Sequence, residues 1–258
     1  MVVIKKLISI SLVIFITKIS FSVNAYGNLS PNYLFNSKAL SYDLSYRVYT
    51  PNTNLINSSL PTLYLTDGQW YIKNGDIKNI LDRLIDSQAI KPLIVIFVDS
   101  RNPHHLKENR RNREFMCNKK YISFFVNELI PTISHNFSTS LKKETRVIGG
   151  LSFGGLNAAC FGLMASNHFG GIAMQSPASN KHLKIINKLY NDSPMLPIKI
   201  FLSSGSKNDN EDAIKKFHHI LKLKNYDVTF KKSKKGHNWE NWRPLIDDLL
   251  RTFFKTES

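Results

Sequence analysis

The stretch Gly149-Gly150-Leu151-Ser152-Phe153-Gly154-Gly155 decides how this chain is read. It contains the pattern G-x-S-x-G centred on Ser152. In front of it Thr145-Arg146-Val147-Ile148 is short, β-branched and apolar, and behind it Leu156 to Met164 reads as a buried helix. Strand, sharp turn and helix form the context of a nucleophile elbow, in which a serine held in strained geometry presents its hydroxyl above a sheet. Gly150 and Gly154 let strand and helix approach without Cβ clashes. The pattern alone is weak, because glycine and serine also fill ordinary turns; the flanking elements make it specific.

Outward from the elbow, apolar runs alternate in period. Ser45–Thr50 alternates as a half-buried strand, and Thr62–Thr66 reads as a buried strand ended by Asp67-Gly68. Ile77 to Ile85 has a helical period, and Leu93–Val98 is a continuous run like a central parallel strand. Tyr121 to Ile130 predicts a helix ended by Pro131. Strands follow at Gly171–Met174, Ile198–Leu202 and Val228–Phe230, with helices over Asp212–Lys224 and Leu245–Phe254. Strands alternating with helices predict an α/β fold: a three-layer, mostly parallel sheet with helices on both faces and no large lid. In such sheets a site lies outside the carboxyl ends of the strands, where Asp67-Gly68, Ser152, Ser176, Asp209 and His237 cluster.

The 258 residues suit one large domain, and no repeat, linker or low-complexity tract divides them. Residues 1–25 read separately. Lys5 and Lys6 precede the apolar run Leu7–Ile16, and Val23-Asn24-Ala25 resembles a small-residue cleavage site. That order predicts a secretory signal peptide cleaved after Ala25, a secreted or periplasmic protein, and a single domain over 26–258 with no stable membrane insertion after cleavage. An uncleaved anchor is the alternative. Cys117 and Cys160 allow one disulfide at most. Cys160 reads as a small buried apolar residue and Cys117 follows a charged loop, so the expectation is that they are not linked. No spacing suits a metal, and no cofactor is expected.

The formal net charge is +16, which loss of Lys5, Lys6 and Lys18 reduces to +13. Such a surface attracts an acidic substrate, an anionic membrane or glycan, or nucleic acid; a basic, lysine-rich proteome accounts for it equally well. The basic residues are scattered and no nucleic-acid motif appears, so nucleic acid is not expected as a partner.

A serine hydroxyl needs a base to take its proton, and the base an acid to orient it. His237, in the loop between the last strand and the last helix, occupies the position of the base. The acid should follow the penultimate strand, in Gly205-Ser206-Lys207-Asn208-Asp209-Asn210-Glu211. Asp209 is nearer the strand end; Glu211 is the alternative, unless it serves only the first turn of a helix. The oxyanion hole requires two backbone N–H groups, expected from Phe153 and from Gln69 or Trp70.

Several stretches together resemble the esterase D-like α/β-hydrolases, and most closely the catalytic domain of the enterochelin (enterobactin) esterases. They are Leu65-Thr66-Asp67-Gly68-Gln69-Trp70, Arg111 to Asn118, Asn127 to Pro131, Gly150 to Leu156, Gln175-Ser176-Pro177 and Gly236 to Arg243, in order between about Tyr46 and Phe254. The resemblance implies a lidless serine esterase without a cofactor, with Ser152 as nucleophile and His237 as base. It implies that Arg111 and Glu114, matching the family's R-x-x-E element, position substrate, and that Ser176 belongs to the turn beside it. Trp239 and Trp242 would pack the histidine loop. The acid segment is one residue longer than the commoner G-x-x-D, which puts Asn208 where an aspartate often stands. The length leaves no room for an additional N-terminal substrate domain, so the expectation is an exported single-domain relative.

The expected activity is hydrolysis of a small-molecule carboxylic ester. One candidate substrate is an anionic siderophore-type ester, met by Arg110, Arg111, Arg113, Lys234 and Lys235. Acyl or acetyl groups on polysaccharide, or short-chain esters, are the alternative. A non-catalytic binding protein on the same fold is the reading from another class. Oligomeric state is not legible in the sequence.

Overall fold

A computed structural model of the chain describes residues 27–52 and 59–256. The expected signal peptide and its cleavage point lie outside the described residues. The strands are β1 (Asn28–Leu29), β2 (Tyr33–Ser37), β3 (Tyr42–Thr50), β4 (Thr62–Thr66), β5 (Ile94–Asp99), β6 (Arg101–Asn102), β7 (His105–Asn109), β8 (Arg146–Leu151), β9 (Gly171–Gln175), β10 (Lys199–Gly205) and β11 (Asp227–Ser233). The main sheet runs β1-β3-β5-β4-β8-β9-β10-β11, with β2 on β3, and β6-β7 is a separate hairpin. From β5 through β11 every pairing is parallel, while β3 runs antiparallel to β5 and to β1 and β2. This is the expected α/β architecture.

Alternation along the strands divides the core. Tyr64, Ile96, Ile148, Ile172 and Leu202 face one layer, with Phe125, Phe161 and Tyr190. Leu63, Leu65, Val95, Val147 and Phe201 face the other, with Tyr71, Leu81, Leu249 and Leu250. Both faces of the sheet are covered, so the central strands β4, β5, β8 and β9 are buried at every residue, as parallel crossovers require.

Two helices differ from the sequence expectation. Pro131 does not end its helix: the chain widens into a π-helical turn over Phe124–Leu129 and continues as Ile130–Asn136. The new helical segment starts one residue before the proline, where an N–H is not required. The helix Asn180–Asp192 was not expected; it buries Leu183, Ile186 and Tyr190 on one face.

Cys117 and Cys160 form a disulfide, which corrects the expectation that they stay unlinked. Cys160 is buried on the elbow helix as expected. Cys117 reaches it because Met116 and Cys117 both turn left-handed, with φ of 61° and 60°, and fold the Arg111–Asn118 loop back onto that helix. That long-range approach has no local signature.

Candidate active site

Several strands feeding this edge of the sheet end in left-handed turns. Asp67 after β4, Ser152 after β8 and Ser176 after β9 have φ of 59°, 54° and 43°, and Asn208, beyond β10, has 51°. None is glycine, so each of these turns holds its residue in a strained backbone conformation. At Ser152, with ψ of −119°, the chain leaves β8 and enters the helix Phe153–Met164. The flanking glycines serve close approach. A Cβ on Gly150 would lie 2.6 Å from the carbonyl carbon of Gly154 and from Thr66 Oγ1, and one on Gly154 would lie 3.0 Å from Asp67 Oδ2.

Ser152 Oγ lies 2.8 Å from His237 Nε2, and His237 Nδ1 lies 2.8 Å from Asp209 Oδ1. An ionised carboxylate only accepts, so Nδ1 carries the proton it donates to Asp209, and Nε2 accepts from the Ser152 hydroxyl. Asp209 is further held by the backbone N–H groups of Gly205 at 2.6 Å and Asn210 at 2.8 Å. Burial opposes its charge, but the bonds from His237, the Ser176 side chain and those two N–H groups outweigh it and hold the carboxyl at about 2. Of the two carboxylates the sequence left open, the structure brings Asp209 to the histidine. Glu211 points away, paired with Lys215 and Lys232.

Asn241 completes the surroundings of the acid. Its buried amide donates to Ser176 Oγ at 2.9 Å and to Asp209 Oδ2 at 3.2 Å, and accepts from Ser233 Oγ at 2.7 Å. Ser176 itself is 0 % exposed. This corrects its expected place beside substrate: the left-handed turn at Ser176 aims its hydroxyl down, toward the acid. His237 also packs edge-on against Trp242, and Trp242 against Trp239.

The loops after β4 and β8 adjoin, since Leu65 pairs with Gly149. Among the described residues, the N–H groups of Gln69 and Phe153 have no hydrogen-bond acceptor, whereas Trp70 N–H donates to Asp67 O at 2.9 Å. Trp70 therefore drops out as an oxyanion donor. The Gln69 side chain bonds Ser100 Oγ at 3.0 Å, which ties this turn to the end of β5.

The family model described as "Putative esterase" matches residues 37–253. The chain belongs to this esterase family. It is a carboxylic ester hydrolase, and its fold is shared with solved esterases. A ferulic acid esterase superposes with a TM-score of 0.73 at 19% identity, covering 90% of this chain and 98% of the other. Ferric enterobactin esterase from Salmonella typhimurium superposes with a TM-score of 0.76 at 19% identity, over 89% of this chain and 58% of that one. In sequence, the uncharacterised protein YjcH of Bacillus subtilis is 26% identical over 84% of this chain and 94% of its own length. Iron(III) enterobactin esterase of Escherichia coli K12 is 28% identical, but over 45% of this chain and 28% of its own length. An endo-1,4-beta-xylanase/feruloyl esterase of Xylanibacter ruminicola is 27% identical over 76% of this chain and 26% of its own length.

The R-x-x-E element of the esterase is largely turned inward. Arg111 lies 3.0 Å from Asp67 Oδ2, a carboxylate with 0% side-chain exposure, and stands over the rings of Phe115 and Phe153. Burial raises the Asp67 pKa against the pull of Arg111 and Ser100. Glu114 is buried and accepts from Tyr42 Oη at 3.1 Å. Burial pushes its carboxyl up to about 8, against the hydrogen bond from Tyr42 and the charges of Arg110 and Arg113. Glu114 thus departs from the expected substrate contact; it is buried beneath the Arg111 loop.

Of the other basic residues expected at the mouth, Arg110, Arg113 and Lys235 are also engaged, whereas Lys234 is exposed and makes no ion pair among the described residues. Arg110 donates to Asp43 O and to Glu108, Arg113 lies 3.7 Å from Glu108, and both guanidiniums stack on Tyr42. Lys235 pairs with Glu240 at 3.0 Å. The cleft over Ser152 has a volume of about 250 Å³ and is lined by Asn112, Phe153, Ala178, Ser179 and His182. Sequence reading assigned Asn241, Ser179 and His182 no role in the site. Asn241 lay within a quoted motif. The other two open a helix whose apolar spacing at 183, 186 and 190 was the available signal.

Proposed function

We propose that the esterase hydrolyses its substrate through a Ser152–His237–Asp209 triad. The observation that carries this is the unbroken chain of 2.8 Å bonds from Ser152 Oγ through the imidazole to Asp209. Ser152 Oγ attacks the ester carbonyl while His237 Nε2 takes its proton, and Asp209 stabilises the imidazolium. The N–H groups of Phe153 and Gln69 receive the tetrahedral oxyanion. The alcohol departs with the proton from His237, and water then cleaves the acyl-enzyme by the reverse sequence of proton transfers. A serine-directed phosphonate probe with peptide mapping tests this: labelling falls on Ser152, and labelling that persists in Ser152→Ala overturns the assignment.

The substrate reading rests on where charge is spent. The likeness to enterobactin esterases and the net charge of +16 support an anionic siderophore-type ester. The engagement of Arg110, Arg111, Arg113 and Lys235 by carboxylates within the protein favours the second reading, an uncharged acyl ester of a carbohydrate or a short-chain ester. The relatives named as a feruloyl esterase and an acetyl esterase support that reading. Parallel turnover of an acetylated xylose and a ferric catecholate triester separates the two; faster turnover of the triester decides for the siderophore.

We further propose that the protein is exported, with cleavage after Ala25. The order of charge, apolar run and small residues over 1–25 supports this. So does the Cys117–Cys160 disulfide, since such bonds persist in oxidising compartments. N-terminal sequencing of exported protein should begin at Tyr26; a start at Met1 in the membrane fraction indicates an anchor.

A further inference from the structure

The cleft over Ser152 is lined by a second imidazole that hydrolysis at Ser152 does not require. His182 sits on the first turn of the helix Asn180–Asp192, with its ring 5.4 Å from that of Phe153, the residue after Ser152. Ser179 Oγ lies 3.2 Å from His182 Nδ1. Among the described residues Nε2 has no hydrogen-bond partner, and the side chain is only half-buried. The ring is therefore fixed on two sides, by Phe153 and by Ser179, and its outer nitrogen is unspent. Around it the cleft offers the Ser152 hydroxyl, the Asn112 amide and the Ser179 hydroxyl as further polar side chains, with Ala178 and Phe153 as the apolar surface. No lysine, arginine or carboxylate lines this cleft.

A lining that is polar yet uncharged recognises by directional hydrogen bonds, and strongly disfavours a partner that leaves those groups unpaired. We infer that the Ser179–His182 pair is a specificity device, in which His182 Nε2 hydrogen-bonds an uncharged hydroxyl on the part of the ester lying in the cleft. The preferred substrates carry such a hydroxyl on an aromatic ring or a sugar, and unadorned esters of the same shape are poorer. This rests on Ser152 being the nucleophile; the arrangement has no function if the ester is cleaved elsewhere.

The test uses two matched pairs on the intact protein: methyl para-hydroxycinnamate against methyl cinnamate, and a monoacetylated xylopyranoside against cyclohexyl acetate. One pair should show a preference in kcat/KM of about tenfold or more for the hydroxylated member, the worth of one good hydrogen bond. The pair that responds says whether the hydroxyl is aromatic or carbohydrate. His182→Phe keeps a ring against Phe153 but removes the nitrogen, and should collapse that ratio toward one. His182→Gln should restore part of it. Ser179→Ala, which frees the imidazole without removing it, should lower the ratio less, and serves if His182→Phe does not fold. No preference in either pair, or a preference that survives His182→Phe and Ser179→Ala, overturns the inference while leaving the nucleophile assignment standing. Turnover that survives Ser152→Ala overturns both.

Discussion

The Asn241 amide bridges Ser176 Oγ and Asp209 Oδ2, at 2.9 and 3.2 Å, so one buried side chain ties the exit of β9 to the carboxylate bonded to His237. Asn241→Leu removes that donor from Ser176 and Asp209, and the acceptor that Ser233 Oγ bonds. Each unsatisfied buried group costs roughly 1–3 kcal/mol. The variant should melt measurably lower and lose about ten- to a hundredfold in kcat, with KM little changed. Steady-state kinetics beside a thermal melt check both. An unchanged kcat in a destabilised variant shows Asn241 to be structural only.

The choice between the two carboxylates is directly measurable. Asp209→Asn keeps the shape but removes the acceptor that selects the His237 tautomer, and kcat should fall by about ten-thousandfold, the magnitude known for such a change in a serine protease. Glu211→Gln breaks only exposed lysine pairs, worth about 0–1 kcal/mol, and should leave kcat within about twofold. The reverse pattern would reassign the acid.

Asp67 has 0% side-chain exposure and Arg111 is the cation beside it. Arg111→Met leaves that carboxylate unpaired among Thr66, Ser100 and the elbow, and should destabilise by about 3–5 kcal/mol in urea unfolding. Asp67→Asn combined with Arg111→Met should cost less than the sum of the two single changes, because no uncompensated charge is then left. Strict additivity would mean that the pair is not coupled.

Glu114 makes stability fall with rising pH. Its folded-state pKa, about 8, lies above the ordinary 4.5 because of burial. Between those values the folded protein binds the proton that the unfolded chain has released. The contribution is therefore fully present below pH 4.5 and is lost as pH rises toward 8, at up to about 1.4 kcal/mol per pH unit for one group. Buried Asp67, also raised, acts in the same direction. Urea midpoints between pH 5 and 8.5 should decline in the wild type and decline less steeply in Glu114→Gln. Parallel slopes would show that Glu114 titrates normally.

The Cys117–Cys160 bond ties the Arg111–Asn118 loop to the elbow helix across 43 residues of chain. The double change of both cysteines to alanine should cost about 2–5 kcal/mol. Reductant should lower the melting temperature of the wild type to near that of the variant; an equal melting temperature with and without reductant would mean that the bond is not formed.

What could be read from the sequence alone were the features set by neighbours along the chain. The apolar runs of β4, β5 and β8 announce buried parallel strands because each strand covers both faces with its own side chains. The spacing of Gly150, Ser152 and Gly154 announces the elbow because the turn is local. His237 was found by its place between the last strand and the last helix. The helix Asn180–Asp192 was also legible in its apolar spacing, but its many polar residues obscured it.

Tertiary structure decided what depends on approach across the sheet. Asp209 and Glu211 are two residues apart and chemically alike; only the turn after β10 determines which one meets an imidazole 28 residues later. Cys117 meets Cys160, Asn241 meets Ser176, and Arg110 and Arg111 find carboxylates within the protein, because loops from different strands converge on one rim. Local propensity carries no record of which distant side chains will share that rim. The sequence by itself thus determined the fold, the elbow and which histidine stands beside it; the packing of the loops decided which carboxylate that histidine meets, the disulfide and which charges are paired within the protein.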